Sequence, residues 1–126
     1  KFPFSADTNA TDVGNLSTTR TSLTGLNSDE FGYTAGGGEG STRVNRIDKY
    51  PFATDTNATD ISDLSQARTD ASPASSKQNG YTSGGFALSP SGIQNTIDKF
   101  PFASDVNATD VGDLTQARQQ MAGQQV

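Results

Sequence analysis

The chain is 126 residues long, a length suited to one modest domain, yet only 31% of it is apolar. So thin a core is hard to make self-sufficient in a small chain, so continuation into more chain or association with copies is expected. A net charge of −5, with no His and no Cys, excludes a nucleic-acid surface, imidazole bases, His metal sites, Ser-His-Asp triads and disulfides in one step.

The first twenty residues introduce the phrase that organises everything else. Lys1, Lys49 and Lys99 each open a Lys-aromatic-Pro-Phe string, so the period is 48 and then 50 residues. A period near fifty belongs with propellers and solenoids rather than with heptads or collagen triplets. "DTNATD" at Asp7–Asp12 follows, recurs at Asp55–Asp60, and returns as "DVNATD" at Asp105–Asp110. It superficially matches the start of a calcium loop, but the sixth position is Asp rather than Gly and no Glu stands at the twelfth. A turn whose Asp and Asn side chains bond their own backbone accounts for it. The Asn-Ala-Thr sequons at Asn9, Asn57 and Asn107, with Asn15-Leu-Ser17, are read as turn residues; in a secreted eukaryotic protein they could carry glycans. "TDVGNL", "TDISDL" and "TDVGDL" then supply a short strand bearing Val13, Ile61 and Val111 with Leu16, Leu64 and Leu114.

After each Arg (Arg20, Arg68, Arg118) comes the weakest strand, polar and small. "GYTAGG" and "GYTSGG" form the next, centred on Tyr33 and Tyr81 and closed by Gly36-Gly37 and Gly84-Gly85, where positive φ, a bulge or a close approach is expected. The two residues of length difference fall between Gly37 and Ile47 against Gly85 and Ile97, marking a surface loop. "GGGEGSTR" (residues 36–43) lacks a Gly-Lys-[Ser/Thr] ending and reads as a glycine-rich hairpin, not a phosphate cradle. "RIDKYPF" and "TIDKFPF" alternate Ile47/Lys49 with Tyr50/Phe52, and Ile97/Lys99 with Phe100/Phe102. Period two with aromatic and β-branched residues makes a strand, and Pro51 and Pro101 belong at its end, an edge or a bulge.

The chain therefore reads as all-β, built of four-stranded antiparallel repeats of about fifty residues, the arithmetic of a β-propeller blade. A stacked β-solenoid is the competing architecture, with coils that are usually shorter. The units divide as 1–20 (a partial blade with its last two strands), 21–68 and 69–116 (full blades) and 117–126 (the start of another). Such a chain leaves the ring incomplete, and further blades or a homo-oligomer would complete it.

The Tyr-x-x-Gly-Gly pattern, the "IDKYPF" strand and the strand running to an Arg resemble the kelch repeat. The family's fourth-strand Trp is absent; Val111 and Leu114 stand in its place. The longer phrase "GYTSGG…NTIDKFPFASDVNATDVGDLTQAR" resembles repeat proteins encoded by marine tailed phages. That resemblance implies a virion component, on a tail or fibre-like surface with other virion proteins and a host surface glycan as partners, and an extracellular, virion location.

Asp12, Asp48, Asp60, Asp98 and Asp110 recur as copies, whereas a catalytic site needs one constellation. A structural task suits them better, such as pairing with Arg20, Arg68 or Arg118 between blades. No catalytic residue, metal or cofactor is assigned, and neither nucleic-acid binding nor membrane insertion is expected. What varies between units is where binding would be placed, which nominates Glu39, Arg43, Lys77, Phe86 and Leu88 as contact residues. The function expected is a non-enzymatic structural and binding propeller. The alternative is a secreted, oligomeric sugar-binding lectin.

Overall fold

The structure is a computed structural model and describes residues 1–125. Among them there is no helix, and the strands are β1 (Thr24–Asn27), β2 (Phe31–Ala35), β3 (Gly38–Glu39), β4 (Thr42–Arg43), β5 (Arg46–Pro51), β6 (Thr59–Asp63), β7 (Arg68–Thr69), β8 (Ser72–Ser75), β9 (Asn79–Ser83), β10 (Phe86–Leu88), β11 (Ser91–Ile93), β12 (Thr96–Pro101), β13 (Thr109–Asp113) and β14 (Gln124–Gln125). The all-β reading holds.

Two equivalent antiparallel sheets form the body, in the orders β1-β2-β5-β6 and β8-β9-β12-β13. β14 adds to the outer side of β8 in parallel. Equivalent positions pair alike: Tyr33 lies opposite Lys49 and Tyr81 opposite Lys99. Both sheets also shift register at one place, between Ile47 and Asp48 and between Ile97 and Asp98. Pro51 and Pro101 end their strands, where the missing N–H costs no ladder bond.

Between the second and third strands of each sheet the chain leaves to make a side hairpin, β3–β4 in the first unit and β10–β11 in the second. The glycine pairs make this departure possible. Gly36 and Gly37 have φ of 64° and 113°, and Gly84 and Gly85 of 64° and 100°. A Cβ on Gly36 would also stand 2.5 Å from the Arg68 carbonyl oxygen. The extra two residues of the second unit lie in this hairpin, as the spacing implied.

Residues 1–20 depart from expectation, because the two strands anticipated there are not formed. Among the described residues no strand pairs with this segment, which lies as an irregular strap against the first sheet. Ala58 N–H donates to Asn15 O at 2.8 Å and Thr21 N–H, just past the strap, to Gly38 O at 3.0 Å, while the bond from Thr11 N–H to Lys1 O at 2.9 Å closes the strap on itself.

The two sheets meet through an aromatic cluster. Tyr33 of the first sheet sits 5.7 Å from the Phe100 ring and stacks on Phe102 at 4.9 Å. Leu26, Ala35, Ile47, Leu64 and Ala108 complete the core, with Ile61 and Phe31 at its edge. Phe100 can lie flat on its own sheet because Gly80 stands directly opposite. A Cβ there would come within 2.5 Å of the ring.

The aromatic faces are buried unequally. Phe100 is 1% exposed, whereas Phe52, the equivalent of half-buried Phe102, is 47% exposed because only the strap covers its side. Phe100→Ala should therefore cost roughly 3–5 kcal/mol in chemical denaturation. Phe52→Ala should cost less than about 1.5 kcal/mol, having less area to lose. Burial also raises the Tyr33 phenol above its usual pKa of 10.0. The native state thus holds it neutral, and this contribution is intact below pH 10 and falls away as the unfolded chain ionises first. The denaturation midpoint should drop above pH 10, and Tyr33→Phe should flatten that drop.

Candidate functional site

The recurring charges resolve into a repeated fastening between units. Arg68, at the end of the first unit, is fully buried and reaches into the second sheet, where Nη2 donates to Asp98 Oδ2 at 3.0 Å and to the hydroxyl of Thr82 at 3.0 Å. Ser65 donates its backbone N–H to the same carboxylate at 3.0 Å and its hydroxyl at 2.5 Å. One unit earlier the set repeats: Arg20 Nη2 donates to Asp48 at 2.6 Å and Ser17 donates N–H and hydroxyl at 3.0 and 2.7 Å. Arg20 also donates to the Gly36 carbonyl at 2.8 Å, fixing the glycine corner. Desolvation lowers the Arg68 pKa while Asp98 and then Asp110 raise it, so the buried cation is held by its partners. The pairing of these Arg and Asp residues between units is thus observed for two of the three arginines.

The "DxNATD" loop belongs to the same fastening. Asn57 and Asn107 do not bond their own backbone, as the turn reading had it. Their Oδ1 atoms accept from Asn15 N at 3.0 Å and Asp63 N at 3.1 Å, each in the preceding unit. Asp55 and Asp105 likewise take Lys1 and Lys49 of the preceding unit at 3.2 and 3.1 Å. Only the last Asp of the loop acts locally, as Asp12 and Asp110 accept from Gly14 and Gly112 N–H groups. Among the described residues no group of three His, Cys, Asp or Glu side chains is placed to hold a metal ion.

The residues nominated for contact separate onto two ends of the sheets. Glu39, Arg43, Phe86 and Leu88 lie on the side hairpins, while Lys77 lies at the other end of β9, in the β8–β9 turn. Arg43 and Phe86 are brought together, the guanidinium 5.9 Å above the ring centroid. Leu88 is 48% exposed and shares its face with Phe86 and Ile93, the latter directly across from Phe86 and 47% exposed. Sequence reasoning missed Ile93, although its place two residues after Ser91 in a hairpin strand would have paired it with Phe86. Glu39 is tied inward, accepting from the Thr18 hydroxyl and from Arg46 at 2.7 Å. The Thr18 hydrogen bond, with Arg46, holds its carboxylate below the usual range.

Lys77 instead borders a cleft of about 530 Å³ between the two sheets, with Asp29, Glu30, Phe31, Asn79 and Phe102. Phe31 carries the Lys49 ammonium 4.6 Å above its ring. The acidic pair lies in the variable "TSLTGLNSDEF" segment, so its variability was legible although its position was not.

Among the described residues no helix is long and apolar enough to cross a membrane. Neither the known protein families nor the curated proteins give a match to this chain.

The fastening is testable against an exposed pair. Asp98→Ala leaves Arg68 buried without its counter-charge and should cost roughly 3–5 kcal/mol in urea denaturation. Asp60→Ala removes a surface partner of Arg46, at 2.9 Å and half exposed, and should cost less than about 1 kcal/mol.

Proposed function

We propose that the chain is a non-enzymatic structural and binding module, a run of kelch-like propeller blades that fixes its repeated edges and displays its hairpins. The observation that carries this reading is the division of labour along the sequence. Residues that recur (Lys49, Asp48, Asp55, Asn57, Ser65, Arg68) are spent on holding units together. Residues that vary stand on the hairpins, where exposed Leu88 and Ile93 with half-buried Phe86 offer an apolar face beside Arg43. The side-by-side run of β14 against β8 is in keeping with innermost strands around a propeller channel. The resemblance to phage repeat proteins would put such a surface on a tail or fibre component of a virion, meeting a host surface.

A second reading, a sugar-binding lectin, draws on the cleft between the sheets, where Phe31 and Phe102 stand with Asp29, Glu30 and Asn79. Aromatic faces with acidic and amide acceptors suit a pyranose ring.

Whole-cell binding to a panel of marine bacteria, run beside a glycan array, separates the two. With Leu88→Ser and Ile93→Ser together, cell binding should be lost while the unfolding midpoint stays nearly unchanged, both side chains being exposed. Binding that survives those changes and disappears with Asp29→Ala would replace display by the lectin reading.

A further inference from the structure

The last sheet exposes the same chemistry that the first sheet buries. On the first sheet, the face turned towards the second is closed: Tyr33, Ile47 and Leu64 are at most 2% exposed, and Arg68 is sealed against Asp98. On the second sheet, the equivalent Tyr81, Ile97 and Leu114 are only half-buried, Val111 is 52% exposed, and Arg118 is exposed. Lys99 and Arg118 make no ion pair among the described residues. Their counterparts Lys49 and Arg68 hold Asp105 and Asp98 of the following unit. The face is therefore apolar at its centre, cationic at two fixed points, and shaped by the repeat to receive an aspartate.

One surface of this same chain supplies the complement. The face of the first sheet carrying Asp48, with Tyr50, Phe52, Asp55 and Asn57 around it, is the counterpart of the face the second sheet docks with. Among the described residues it is covered only by the strap of residues 1–20, which has no strand. Four polar contacts of the strap with the Asp48, Asp55 and Asn57 side chains have counterparts on the second sheet and the residues that follow it: Lys1 in Lys99, Asn15 N–H in Asp113 N–H, Ser17 in Thr115 and Arg20 in Arg118. The strap is a loose copy of the docking face.

We propose that a second copy of this chain docks head to tail, its Asp48 face exchanging its own strap for the Lys99–Arg118 face of the first copy. The incoming β1 then takes the place beside β8 that β14 fills here, since β1 already packs along β8 within one copy. The segment after Arg118 is displaced with the strap. Lys99 and Asp113 are held in β12 and β13 and the Arg118 backbone is tied to Gln94, so this donor set loses less freedom on docking than the strap does, which favours the exchange as concentration rises. Because donor and acceptor faces differ, the contact is heterologous and either closes a ring or extends a filament.

Sedimentation of the full chain over a range of concentrations tests this. The wild type should associate with rising concentration. Arg118→Glu, at an exposed position, should leave the circular dichroism and melting unchanged and keep the chain monomeric. Ser17→Ala loosens the strap while keeping the Arg20–Asp48 pair, and should tighten association by on the order of tenfold, a shift worth about 1.4 kcal/mol. A wild type that stays monomeric throughout, association that survives Arg118→Glu, or a Ser17→Ala variant no stickier than wild type would each overturn the proposal.

Discussion

A guanidinium buried between two sheets organises this molecule. Arg68 leaves the first unit, crosses to the second and is accepted there by Asp98, with the Ser65 hydroxyl and N–H saturating the same carboxylate. Neither charge could lie in that position alone, because an unpaired buried ion costs several kcal/mol. Hydrophobic stacking alone would let two twisted sheets slide past one another. The ion pair admits one offset, and the Asn107 and Asp105 contacts at the far side admit the same one. Register between units is therefore set by polar groups, and adhesion by Tyr33, Phe100 and Phe102.

This division explains how a sequence so poor in apolar residues builds a core. The aromatic rings are concentrated at one seam, and glycine opposite Phe100 lets the ring lie close to its own sheet. Elsewhere, short polar side chains suffice because hydrogen bonds, from backbone and side chains alike, carry the contact between strap, corner and sheet. Small residues such as Thr82 and Thr34 are buried for a reason of chemistry, each offering a hydroxyl to the arginine that arrives from the unit before.

Much of this was legible in the sequence, and the limits have physical causes. Period two in "RIDKYPF" sorted Ile47 and Lys49 from Tyr50 and Phe52, and those sets do face opposite neighbours. Recurrence of Asp48 and Asp98 with an Arg in every unit pointed to pairing between units. Residues 9–16 repeat the letters of β6 and β13 almost unchanged and yet form no strand. A strand needs a neighbour to pair with, however, and that neighbour is a property of the whole unit, not of the string. The "DxNATD" loop hides its role for a related reason: Asn and Asp at turns usually bond locally, and only the approach of the previous unit redirects Asn57 and Asn107. Of the contact residues, the pairing of Arg43 with Phe86 depends on two hairpins from different units lying side by side, which no local pattern encodes. The hairpins were legible as variable but not as neighbours.

The base of each side hairpin is clamped independently of its length. Val44 N–H closes on Gly37 O at 3.0 Å and Gln94 N–H on Gly85 O at 2.8 Å, while Gly36 and Gly84 bond back to Arg46 and Thr96. Whatever lies between those clamps is decoupled from the sheet's register, as the two-residue difference between the units already demonstrates. Change can thus accumulate in the hairpin without the arginine and aspartate of neighbouring units losing their alignment. The scaffold separates the rate at which its surface can diversify from the rate at which its joints can, and a lineage could explore new partners while every seam stayed as it was.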